Sequence, residues 1–105
     1  DSFYNQFFCS LAKTTQEVFP IARPYWTFIL SFGQPWGFVL ASKRNDPLAL
    51  DEKEIARRIQ QRGIRKLKYY HPGFHRSYFA LPLYLLKNLK KGKILTDAKP
   101  FLWRI

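Results

Sequence analysis

His71 and His75 stand four residues apart, a spacing that on a helix would put two imidazoles on one face and begin a metal site. Pro72 and Gly73 lie between them and break such a helix, and no third ligand is near. The pair therefore reads as turn packing or a phosphate contact, and no metal site is expected. Cys9 is the single cysteine. It has no internal disulfide partner and no local signature of a thiol–imidazole pair, so it reads as a small buried residue on a helix. Asp51, Glu52 and Glu54 cluster at one point, where Asp51 with Glu54 three residues on has the form of a capping box. Their negative charge suits the positive end of a helix, so capping accounts for them without acid–base chemistry. The chain has neither an Asp-x-x-Asp pair nor a Gly-x-Gly loop. Catalytic residues: none; cofactors: none. What remains is Ile29 to Phe38, ILSFGQPWGF, which looks like the wall of a small-molecule pocket with no reactive group beside it.

The elements that must position these residues follow from periodicity and punctuation. Phe3, Phe7, Phe8, Leu11, Ala12 and Val18 keep near a 3.6-residue period, which predicts a helix from Phe3 to Val18 with Ser2 as its cap and Pro20 beyond its end. Tyr25 to Leu30 is aromatic and β-branched, with Pro24 at its first position, and Trp36 to Ser42 is a second run of the same kind. With Gly33-Gln34-Pro35 as the turn, they predict an antiparallel hairpin. A helix starts at the Asp51 cap, buries Ile55 and Ile59, sets Arg58 and Arg62 outward and stops at Gly63. Leu67 to Tyr70 reads as extended. A further helix is expected after His71-Pro72-Gly73, interrupted at Pro82 and continuing as Leu83 to Leu89. The expected class is α+β, a hairpin packed with helices, with residues 1–90 as one domain and 91–105 as a basic, aromatic tail. Both strands are nearly continuous apolar runs, the pattern of strands covered on both faces, so the hairpin needs a cover.

Charge supplies a second line. Eighteen Lys plus Arg against seven Asp plus Glu give a net charge of +11. Between Ile55 and Thr96 there is no acid at all, while Arg57, Arg58, Arg62, Arg65, Lys66, Lys68, Arg76, Lys87, Lys90, Lys91 and Lys93 all fall there. Like charges at that density repel unless a polyanion neutralises them. Aromatics alternate with the cations from Arg65 to His71 and again from Phe74 to Tyr78, which suits phosphate contact combined with base stacking. No zinc-finger, RRM, KH or basic-zipper pattern is present, so sequence-specific DNA recognition is not expected. No apolar run approaches the ~20 residues needed to span a bilayer.

The order of the pieces carries a resemblance. EVFPIARPYWTFI (17–29), WGFVLASK (36–43), DPLALDEKEIARRIQQRGIRKLKYY (46–70) and HRSYFALPLYLLKNL (75–89) together resemble the C-terminal part of spermidine synthase, of the polyamine aminopropyltransferase family, in collinear order over about 90 residues. The resemblance implies a remnant of a Rossmann-like, methyltransferase-type fold. It also implies that the loop binding decarboxylated S-adenosylmethionine and the Asp-x-x-Asp pair that grips the amine lie N-terminal to the matched part. ILSFGQPWGF then corresponds to the family's substrate-side hairpin loop. Ser31 and Phe32 match its start and Trp36 its end, while Leu30 stands where Pro is usual and the Gly33-Gln34-Pro35 turn is one residue short. On that basis Ser31, Phe32, Gln34 and Trp36 are expected to be a vestigial pocket wall.

Taken with the charge, the expectation is a non-enzymatic, cytoplasmic RNA-binding protein derived from a spermidine synthase. Its expected partners are structured RNA, ribosomal RNA in the first place, and neighbouring ribonucleoprotein proteins, with the eleven cations as phosphate contacts. The alternative is the C-terminal portion of an active aminopropyltransferase, or a pseudoenzyme subunit of one.

Overall fold

The computed structural model describes residues 6–98. Helix α1 (Gln6–Val18) leads into strand β1 (Ile21–Ile29), strand β2 (Gln34–Ser42), helix α2 (Glu52–Gln61) and helix α3 (Leu83–Leu89), with short 3₁₀ turns at Leu30–Phe32, Pro47–Ala49, Pro72–Phe74 and Arg76–Phe79. This is the expected α+β arrangement. Residues 1–5 and 99–105, which include the predicted Ser2 cap and the last seven residues of the predicted tail, lie outside the described residues.

The hairpin is longer than expected. β1 begins at Ile21, and the register pairs Ile21 with Ser42 and Ile29 with Gln34 in one antiparallel ladder. Pro24 sits inside the strand opposite Val39, and Pro35 opposite Phe28. Both are tolerated because each strand has an outer edge, where a proline nitrogen can face away from its neighbour. The turn therefore falls earlier than Gly33-Gln34-Pro35. It is the 3₁₀ turn Leu30–Phe32, closed by Gly33 at φ 64°, whose N–H donates to the Ile29 carbonyl at 3.0 Å. A side chain at residue 33 would meet no neighbour, so only the left-handed backbone selects glycine there.

The ladder places Pro24, Trp26, Gly37 and Val39 on one face and Tyr25, Thr27, Trp36 and Phe38 on the other. The first face takes the buried cluster of Phe8 from α1 with Leu81 and Leu85, with Trp26, Val39 and Leu89 packed against it. The second is covered by aromatics. Tyr25 stacks on Phe38 at 5.3 Å and meets Phe79 and Tyr78 at 5.5 and 6.4 Å. The chain's own helices and turns thus supply much of the cover that the apolar strands require. The tip stays bare: Leu30 is 84% and Phe32 56% exposed.

The second helix follows local chemistry closely. Asp51 Oδ1 accepts from the Glu54 N–H at 2.7 Å, and the end closes with Gly63 N–H on the Gln60 carbonyl and Ile64 N–H on the Ile59 carbonyl, each at 3.1 Å, the paired bonds of a Schellman stop. The capping box is only half made, because the Glu54 carboxylate turns to Arg57 and Arg58 instead (2.6 and 2.9 Å). Those guanidiniums hold the Glu54 carboxyl down to about 2, from an ordinary 4.5. A carboxyl with a lowered folded pKa stabilises fully above its unfolded value and stops doing so as pH falls through the folded one. The Glu54 contribution is therefore complete above about pH 4.5 and lost towards pH 2. An NMR titration should find its midpoint near 2, and the double substitution Arg57→Ala, Arg58→Ala should return it to the ordinary carboxylate range.

Two expected elements do not form. Residues 67–70 are irregular, and Pro72 to Phe79 makes two 3₁₀ turns in place of a continuous helix. Tertiary contacts fix this stretch. His75 Nε2 donates to the Pro47 carbonyl at 2.6 Å, which leaves Nδ1 as the acceptor for the Tyr70 hydroxyl at 3.1 Å. Beyond α3, the Lys93 and Leu95 N–H groups donate to Ser10 Oγ (3.1 Å) and Thr14 Oγ1 (2.8 Å), so this stretch lies along α1.

Candidate functional site

The residues singled out for a pocket wall are brought together at the hairpin tip. Ser31 and Phe32 lie in the 3₁₀ turn, Gln34 opens β2, and Trp36 follows on the face that carries Thr27. The Phe32 and Trp36 rings are 4.7 Å apart and tilted by 40°. Ring pairs in that geometry hold each other through their edges and faces, which gives the tip a shaped apolar surface.

Among the described residues, three of the carboxylates are committed elsewhere. Asp46 takes Arg23 in a two-pronged pair (3.1 and 2.5 Å) and accepts from the Leu48 N–H at 3.0 Å. The Arg23 bonds lead the causes that hold its carboxyl below the usual range. Asp51 caps α2, and Glu54 is held by its two arginines. Glu17, Glu52 and Asp97 are exposed on separate parts of the chain. Among the described residues, no group of three His, Cys, Asp or Glu could hold a metal ion. His75 is occupied at both ring nitrogens, and His71 Nδ1 accepts from the Gly73 N–H at 3.2 Å, so the two histidines serve turn geometry. Cys9 is buried, and burial pushes its thiol pKa up, the opposite of what a nucleophile needs.

Two grooves lie away from the tip, around the end of α2. One, of about 390 Å³, is lined by Ile59, Gly63, Ile64, Arg65 and Pro72 among others; the second, of about 160 Å³, includes Ile55, Arg58, Arg62, Tyr70 and His75. Neither contains a carboxylate that could grip an amine.

The eleven cations are scattered over several elements. Arg57 and Arg58 are tied to Glu54, and the Arg76 guanidinium donates to the Leu48 carbonyl at 3.3 Å. Arg62, Arg65, Lys66 and Lys68 are exposed at and beyond the end of α2, and Lys87, Lys90, Lys91 and Lys93 on and after α3. No helix of the described residues is long and apolar enough to cross a membrane.

Comparison with known proteins decides between the two sequence readings. A polyamine aminopropyltransferase 2 of Hyperthermus butylicus is 36% identical over 91 residues, 86% of this chain and 30% of the relative. The polyamine aminopropyltransferase of Saccharolobus islandicus is 33% identical over 100 residues, 94% of this chain and 33% of the relative. That of Nitrosomonas europaea is 36% identical over 72 residues, 69% of this chain and 22% of the relative. The chain is a segment of the polyamine aminopropyltransferase family. It spans about a third or less of the length of the curated relatives it matches. No protein-family model matches the chain.

This corrects the reading of a ribosomal or other RNA-binding protein, and with it the expected RNA and ribonucleoprotein partners. The relatives are named for polyamine chemistry, and nothing in them points to RNA. The physical error lay in treating excess positive charge as a partner's signature. Charge density over one span is a statement about solubility and steering, and Arg57, Arg58 and Arg76 are in any case engaged within the chain.

Proposed function

We propose that this span acts as the substrate-side segment of a polyamine aminopropyltransferase. The carrying observation is the match to such enzymes over 69–94% of the chain at 33–36% identity. The hairpin tip fits that role because Leu30 and Phe32 are exposed there, with Phe32 and Trp36 presented as a pair.

In this reading Ser31, Phe32, Gln34 and Trp36 form one wall of an amine pocket. An apolar wall desolvates the attacking amine and holds its methylene chain, which favours a neutral nucleophile. The amine nitrogen attacks the propyl carbon beside the donor's sulfonium, the C–S bond breaks with its electron pair going to sulfur, and the amine loses a proton. The donor site and the carboxylates that orient and deprotonate the amine come from the portion of the enzyme that this span does not cover.

The test is aminopropyl transfer from decarboxylated S-adenosylmethionine to putrescine by the natural gene product. Trp36→Ala is expected to raise KM for the amine about tenfold, the equivalent of ~1.4 kcal/mol of lost binding, with kcat changed less. No transfer at all by the unaltered gene product would overturn the proposal.

A further inference from the structure

Tyr69 is 51% exposed, yet its hydroxyl is turned onto the sheet, 3.4 Å from Thr27 Oγ1. The ring is braced from behind by other aromatics. Tyr69 stacks on Phe74 at 5.1 Å, Phe74 stacks on Tyr78 at 5.5 Å, and Tyr78 meets Tyr25 at 6.4 Å. Tyr25 and Thr27 are alternate residues of β1 and share a face. The run of rings therefore leaves the strand at Tyr25 and returns to it at Thr27, an arch that fixes the Tyr69 hydroxyl against β1.

That face also carries part of the proposed wall. Thr27 pairs with Trp36, and Ile29 with Gln34, so the two hydroxyls share a face with Trp36 and Gln34. Each hydroxyl can donate and accept, and the contact between them uses one proton and one lone pair at most. Accepting capacity thus remains beside an indole ring. An aliphatic diamine brings a matching need. While one nitrogen reacts, the other stays an ammonium, with three protons to place on oxygens or over a ring face.

We infer that the hydroxyls of Tyr69 and Thr27 receive the non-reacting ammonium of the acceptor amine, and that Tyr69 thereby helps to set which amines are preferred. The inference rests on the reading proposed above. It extends the pocket beyond the hairpin, to a residue of the irregular stretch that follows α2. Tyr69 acts by binding alone, and no proton or bond of the reaction passes through it.

Tyr69→Phe in the natural gene product tests this, since it removes the oxygen and keeps the ring with its stack. KM for putrescine should rise about tenfold or more, as for a lost hydrogen bond to a charged group, with kcat and Tm changed little. Thr27→Val should act in the same direction. The double substitution should cost less than the product of the two singles, because both oxygens serve one ammonium. Butylamine has the carbon chain without the second nitrogen, so it should inhibit the unaltered enzyme and Tyr69→Phe equally. An unchanged KM in an active Tyr69→Phe enzyme, independent effects of the two substitutions, or an equal loss of butylamine inhibition would each overturn the inference. So would a lowered Tm with KM unchanged, which would make the arch a brace for the fold and nothing more. Calorimetric titration with putrescine separates the two readings. Absent transfer with putrescine binding weakened by Tyr69→Phe would count against the functional reading alone, and absent binding against both.

Discussion

Gly92→Ala is expected to destabilise the fold by about 1–3 kcal/mol, the range for forcing extra volume into a well-packed position. Gly92 is buried, and a methyl group there would run into the Cys9 carbonyl and the Ser10 nitrogen. Those are backbone atoms of α1, which cannot swing aside as the end of a long side chain could. The local geometry leaves little slack. Ser10 and Thr14 are one helical step of about 6 Å apart, and Lys93 and Leu95 are about 6.6 Å apart if extended. The two bonds therefore form together only while residues 92–95 lie flat on the helix. Cys9 offers the readout, since it is 2% exposed and is the chain's sole thiol. Its modification by a thiol reagent through transient opening should speed up about 5- to 150-fold, the rate equivalent of that loss. Unchanged stability together with an unchanged thiol rate would show that residues 92–95 do not hold the helix.

What the sequence discloses here is what is decided locally. Both ends of α2 are set within a few residues, by Asp51 at one and Gly63 with Ile64 at the other, and both are legible. The hairpin is legible in kind, but its start at Ile21 is not, because Pro24 suggests a strand's beginning unless one knows that the strand lies at an edge. Contacts distant in sequence leave no local trace. Nothing in the spacing of Ser10 and Lys93 announces a bond between them, and nothing in His75 announces the Pro47 carbonyl. That carbonyl, with Leu48's partner Arg76, replaces the helix that periodicity predicts after Gly73.

The candidate site divides in the same way. Asp51 is recognisable as a cap, whereas the engagement of Glu54 by Arg57 and Arg58, and of Asp46 by Arg23, depends on rotamers and on a loop folding back. The tip residues are visible only through family resemblance, since an exposed Phe beside a Trp has no periodic signature. Net charge misleads for a different reason. It is summed over about a third or less of the relatives' length, while the field at a polyamine site is set by the whole enzyme.

Leu85→Ala is expected to destabilise the fold by about 2–5 kcal/mol. Helix α3 is only seven residues long and begins directly after Pro82, so too little helix exists to stand without packing. That packing is Leu85, 1% exposed and in contact with the cluster of Phe8 and Leu81 that backs the hairpin. Removing its side chain leaves a cavity between α1, α3 and the sheet, where rigid neighbours limit collapse. Urea unfolding should show a lower midpoint at an unchanged m-value, because the same surface is exposed on unfolding. Leu83→Ala on the same helix is the control. Leu83 is 66% exposed, and its truncation should cost no more than about 0.5 kcal/mol, as for other surface substitutions. If Leu83→Ala proves as costly as Leu85→Ala in the natural gene product, the outer side of α3 must be covered there too, and the helix would be held from two sides rather than one.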